Sequence, residues 1–228
     1  MNHIVMFNNK TVGRDKLARL IQYTSKFVWY VLQKYEADGS SISKIKELEY
    51  ILGNFRKLLR MGRFLDTLYT ASRMINHEDV LISFNSAMSK ISYALYLLCD
   101  HIIWFGRQGF ADTDATKWNQ MANKCWLFTI IMNLTRDYCE IKRLLSNDEI
   151  LKFKYNDPKF ILRNCRVLAD EHKDVILDTI KNSCDIFLPL AALNYIKLNP
   201  GTIGLLGVIS SVIGIYTVVD PFAKLSLS

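Results

Sequence analysis

Four cations on one amphipathic segment are the residues of this chain best placed to do chemistry. Residues 48–65 read LEYILGNFRKLLRMGRFL and carry Arg56, Lys57, Arg60 and Arg63, with no acid between Glu49 and Asp66. At about 100° per residue, Leu48, Ile51, Leu52, Phe55, Leu58, Leu59 and Leu65 fall within one arc of roughly 140°, and the cations lie on its flank and beyond. The chemistry of that pattern is adhesion to an anionic lipid surface. Aliphatic side chains enter the acyl region, while Arg and Lys stems reach back to the lipid phosphates. The competing reading is a stripe that packs into an ordinary helical bundle.

Catalytic and metal-binding patterns are poorly represented. His3, His77, His101 and His172 are scattered, with no HExxH and no second ligand at helical spacing, so neither a metal nor a catalytic site is implied. GTIGLLG at 201–207 lacks the GxGxxG pattern and follows no strand, so no nucleotide cofactor is expected. Asp100 beside His101 resembles an acid–base pair, but adjacent helical residues point about 100° apart. Arg136, Asp137 and Asp185 also interrupt apolar helices, and pairing between helices is the simplest use for them. A sharper alternative is that these groups, with Asp100 and Arg107, line a polar pathway for small metabolites.

The charge distribution says more than the total of +7. Residues 1–75 hold 13 Lys and Arg against 6 Asp and Glu, whereas residues 76–228 hold 16 against 16. A basic first third followed by a neutral, apolar remainder fits a chain whose first part meets an anionic phospholipid membrane. Nucleic acid is disfavoured as the partner, because zinc-finger spacing, RNP-like strands and Gly-rich binding patterns are missing and the cations share their helix with large aliphatics. Five cysteines, widely spaced and without CxxC, argue for a reducing compartment. The first ten residues, MNHIVMFNNK, have neither signal-peptide nor transit-peptide character, so any membrane address is internal.

The elements that must position these residues read as helices throughout. A first helix is predicted over about 14–35, and ADGSS at 37–41 is its turn. A second runs from Ser43 to about Asn76, contains the basic stripe and bends at Gly62. Others follow at about 80–106, 117–145 and 159–172, then one over 174–198 interrupted at Pro189, with AsnProGly at 199–201 ending it. The chain thus divides into a basic amphipathic region (1–76), an apolar hairpin with a possible first membrane segment (77–146), a linker with a short helix (147–172) and C-terminal helices (173–228). The fold class is an all-α, membrane-associated helical bundle.

The best spanning segment is the uncharged stretch 203–219, IGLLGVISSVIGIYTVV. Its 17 residues reach about 25 Å, slightly short of a hydrocarbon core of ~30 Å. Gly204, Gly207, Ser210, Ser211 and Gly214 give it small-residue faces suited to close helix packing, and so to self-association as a homo-oligomer. Residues 91–105 are a weaker span, because Asp100 and His101 interrupt them.

GRDKLARLIQY (13–23), NFRKLLRMGRFLD (54–66), YALYLLCDHIIWFGRQG (93–109), LFTIIMNLTRDYCEIKRLL (127–145), KNSCDIFLPLAAL (181–193) and NPGTIGLLGVISS (199–211) together resemble the peroxisomal membrane protein 11 (peroxin-11) family, above all its animal beta type. The vertebrate beta type has a long Gly-rich insert between the fourth and fifth helices that this chain lacks. The resemblance implies a peroxisomal membrane protein with both termini in the cytosol, inserted through the peroxin-19 receptor. It further implies that an amphipathic helix, matching 48–65 here, curves the membrane. Self-association, fission adaptors and a dynamin-related GTPase then divide the organelle. Pore activity has also been proposed for the family, so the alternative implied by the resemblance is a channel for small metabolites in the peroxisomal membrane.

Overall fold

Capping chemistry sets the helix boundaries in the computed structural model, which describes residues 11–36, 38–74, 80–147, 172–220 and 223. Helix α1 spans Thr11–Lys34 and α2 spans Gly39–Leu59. Asp38 starts α2 by accepting from the Ser41 amide at 3.3 Å, so the helix begins four residues before the predicted Ser43. It also stops early. Gly62 adopts φ +79°, a left-handed conformation that ends α2 and launches α3, Arg63–Met74. The predicted bend is therefore a full break into two helices.

Helices α4, Val80–Arg107, and α5, Ala115–Asn147, match their predicted extents to within two residues. Asp114 caps α5 by accepting from the Thr116 and Lys117 amides at 3.0 and 3.2 Å. The chain resumes with α6, Lys173–Asp185, then α7, Phe187–Ala192, and α8, Pro200–Val219. Pro189 accounts for the break between α6 and α7, since its ring clashes with the carbonyl four residues earlier, that of Asp185. Asn199 does not close the preceding helix, which ends at Ala192. It opens α8, accepting from the Thr202 amide at 2.7 Å with Pro200 in the first turn. Those added residues make α8 20 residues long, about 30 Å, so the predicted shortfall disappears. The predicted helix at 159–172 lies almost wholly outside the described residues.

Helix α1 lies along α8 on one side and α2 on the other, while α4 and α5 form an extended hairpin that α3 covers and α6 joins to α8. Among the described residues the elements are helical, without strands. The interior is unusual in its polarity: among the described residues 13 apolar side chains are buried, against 19 polar or charged ones. Many large apolar residues point outward, among them Ile21, Phe84, Leu95, Ile131, Leu205 and Val212. A water-soluble bundle would show the reverse arrangement. Lipid around an apolar exterior, with hydrogen bonds and ion pairs inside, fits it.

Candidate functional site

Helix α2 carries the predicted site, and its two faces are cleanly divided. Leu48, Ile51, Phe55 and Leu58 point outward, between 42% and 53% exposed, and Leu65 on α3 is 62% exposed. Leu52 and Leu59 are half-buried at the edge of this face. The opposite face holds the cations, and it is turned into the protein. Arg56 donates to Asp15 of α1 at 3.0 Å and to Gln22 at 2.7 Å. Lys57 contacts Asp100 of α4 at 2.5 Å, and Arg60 contacts the same carboxylate at 2.7 Å while donating to the Tyr96 hydroxyl at 2.8 Å. Arg63, the most exposed of the four, lies 3.9 Å from Asp15.

The expectation that all four cations reach lipid phosphates therefore does not match this geometry. Two carboxylates distant in sequence draw them inward, and a buried charge needs such a partner. Burial raises the pKa of both Asp15 and Asp100, but Arg56 and Arg60 beside the first, and Arg60 and Lys57 beside the second, more than reverse that effect and hold each below 3.8. The apolar half of the predicted arc is what remains available to a bilayer.

The small-residue face of α8 also has a partner already. A Cβ on Gly204 would come within 2.7 Å of the Phe27 amide nitrogen, and one on Gly207 within 2.3 Å of the Tyr23 ring, so both glycines admit α1 at close range. Ser210 donates to Asp185, and Ser211 to the Gly207 carbonyl, each at 2.5 Å. That face thus packs against the chain's own helices, and a second copy does not have access to it in this arrangement. Gly207→Ala should destabilise the protein by ~1–3 kcal/mol through overpacking on Tyr23. Gly214→Ala should change stability little, because its nearest neighbour is the flexible tip of Lys16 at 3.2 Å. Thermal unfolding in detergent micelles distinguishes the two.

The remaining polar candidates fall into separate clusters. Asp100 and His101 do not act together: Asp100 faces Lys57 and Arg60, while His101 donates from Nε2 to the Arg60 carbonyl at 3.2 Å and meets Phe64 edge-on. Arg136 folds back onto its neighbour Asp137 at 2.6 Å and reaches Asp178 at 2.5 Å, and Asn182 donates to Asp137 at 2.9 Å. Asp185 accepts from Arg19 at 2.5 Å. Arg107, exposed at the end of α4, donates to Asn54 at 2.5 Å. Sequence reasoning missed the buried serine ladder Ser83, Ser86, Ser89 and Ser92 on α4, where Ser89 donates to Asn133 at 2.6 Å and Ser92 to the Cys125 carbonyl at 2.8 Å. Its three-residue spacing was a readable sign of a close helix contact.

Among the described residues, one apolar helix long enough to cross a bilayer, an outward apolar face on α2 and a polar interior fit a membrane protein. The profile of the family "Peroxisomal biogenesis factor 11 (PEX11)" matches residues 1–219. The chain belongs to this family. It is similar to peroxisomal membrane protein 11B of Pongo abelii, 31% identical with 99% of each chain covered. It is likewise similar to peroxisomal membrane protein 11A of Homo sapiens, 31% identical over 99% of each. Peroxisomal membrane protein PMP30B of Candida boidinii is 25% identical, covering 93% of this chain and 91% of that one. No solved structure matches the chain. Membership places this PEX11 chain among peroxisomal membrane proteins of organelle biogenesis.

Proposed function

We propose that this PEX11 chain elongates the peroxisomal membrane and prepares it for fission by seating the outer face of α2 in the cytosolic leaflet. The observation that carries this reading is the outward row Leu48, Ile51, Phe55 and Leu58 opposite a cationic face that is already paired inside the protein. A helix held this way cannot roll its cations to the surface without breaking ion pairs, so it wedges apolar volume into one leaflet and expands that leaflet alone. Helix α8 anchors the wedge.

Self-association concentrates such wedges. With the glycine face of α8 filled by α1, its outer row Leu205, Ile209, Val212 and Tyr216, spaced 4-3-4, is the surface we assign to a second copy. Insertion through peroxin-19, both termini in the cytosol, and hand-over to fission adaptors and a dynamin-related GTPase complete the proposal and rest on family resemblance. Protease digestion of both ends on intact peroxisomes tests the orientation.

The cellular test is loss and excess of the protein. Loss should leave fewer, larger or elongated peroxisomes, and excess should give tubules that divide while the GTPase is active. Unchanged peroxisome number and shape in both conditions would refute the proposal.

A further inference from the structure

Between the cationic face of α2 and helices α1, α4 and α5 lies a half-open cavity of about 520 Å³. Lys16, Arg19, Arg56, Lys57, Arg60 and Arg107 line it, and so does Lys46, whose ammonium sits 4.5 Å from the Trp29 ring centroid. The carboxylates on or directly behind the wall are Asp15, Glu49, Asp100 and Asp185. Seven basic side chains thus meet four acidic ones around one small space.

Two of these cations have unused capacity. Arg19 is 6% exposed and gives one nitrogen to Asp185, yet its Nε–H has no hydrogen-bond partner among the described residues. A buried guanidinium donor left unmatched is costly, and an acceptor entering the cavity would satisfy it. Lys16 makes no hydrogen bond or ion pair among the described residues, and burial together with Arg19 and Lys181 brings it down to about 7. Beside them, Tyr93, Tyr96 and Trp126 form a continuous stack, with centroids 5.6 and 5.9 Å apart; the Arg19 guanidinium lies over Trp126 at 6.0 Å and that of Arg60 over Tyr96 at 5.4 Å, so the Tyr93 end of the stack is the part left to an organic group.

We propose that this cavity binds a ligand bearing a phosphomonoester, with Arg19 and Lys16 on the phosphate and the aromatic stack against its organic part. A carboxylate or phosphodiester brings one negative charge. A phosphomonoester brings close to two and three acceptor oxygens, which suits an excess of basic side chains and an unmatched donor. The volume exceeds that of phosphate alone, leaving room for an organic group. This chemistry is shared by lipid headgroups such as phosphatidic acid and by free phosphorylated metabolites. The site is separate from the outer face of α2, so Phe55→Glu should leave binding intact, and failure of either reading leaves the other standing.

Tryptophan fluorescence of the full-length protein provides the test, because Trp29 and Trp126 both line the cavity. One arm titrates glycerol phosphate into protein in neutral detergent. The other compares phosphatidylcholine nanodiscs containing phosphatidic acid with nanodiscs containing phosphatidylserine at matched surface charge. A saturable response to glycerol phosphate assigns the site to free metabolites, and one confined to phosphatidic acid assigns it to a lipid headgroup. In either case Lys16→Gln should weaken binding by about tenfold, the loss of one charge-assisted hydrogen bond. Lys46→Gln, at an exposed position, should weaken it in the same direction without risk to folding. The proposal is overturned by no saturable response in either arm, by equal responses to phosphatidic acid and phosphatidylserine without a response to glycerol phosphate, or by unchanged affinity in both variants.

Discussion

Replacing Phe55 and Leu58 together with glutamate should abolish tubulation of vesicles by the full-length protein while its helicity and its anchoring stay intact. Both side chains are close to half exposed on the outer face of α2, so neither substitution buries a charge in the protein. Each removes ~1–2 kcal/mol of apolar transfer into the leaflet and sets a carboxylate against it. Helix α8 is untouched, so the protein should still resist carbonate extraction. Leu59→Glu is a less clean probe, because Leu59 is half-buried and its loss would also disturb packing. Electron microscopy of the vesicles reads the outcome, and tubules at the unaltered frequency would place the remodelling element elsewhere.

The second large effect is expected at Asp100. Lys57 and Arg60 converge on this one carboxylate, which is 2% exposed, so Asp100→Ala leaves Lys57 buried without its partner and Arg60 with only Asp15, 3.8 Å away. Breaking such a cluster costs ~3–5 kcal/mol, measurable as a large fall in the thermal unfolding midpoint in detergent. The sign of the pH dependence follows from the depressed pKa values of Asp15 and Asp100. Their contribution is fully present above the ordinary carboxylate value of 3.8 and is lost only as the pH falls below it. Neutralising Arg56 and Lys57 should likewise lower stability. Were these cations on lipid phosphates, the same change would instead leave stability alone and reduce the salt dependence of vesicle binding.

The difference between those two outcomes marks where the sequence stops being informative. Helical periodicity locates α1, α4 and α5 closely, and the uncharged run 203–219 marks the spanning helix, because both signals are local. The apolar arc of α2 is equally local. The direction its cations face is not, since it is decided by Asp15 and Asp100, 41 and 43 residues away from their partners Arg56 and Lys57. Small-residue spacing on α8 correctly signals close helix packing, yet spacing cannot say whose helix comes close, and here it is α1. The Gly62 break is legible as a bend and becomes a full stop because the residue takes a left-handed φ. Pro189 is legible as an interruption, and the break falls at the carbonyl it displaces, that of Asp185.

In the function proposed above, α2 turns its aliphatic face to lipid and its cationic face to protein. Photo-crosslinking in isolated peroxisomes tests it most directly, with a benzophenone amino acid placed at position 55 in one protein and at position 57 in another. The account predicts phospholipid adducts from position 55 and, from position 57, crosslinks within the polypeptide to α4. Phospholipid adducts from position 57, with polypeptide crosslinks from position 55, would contradict it.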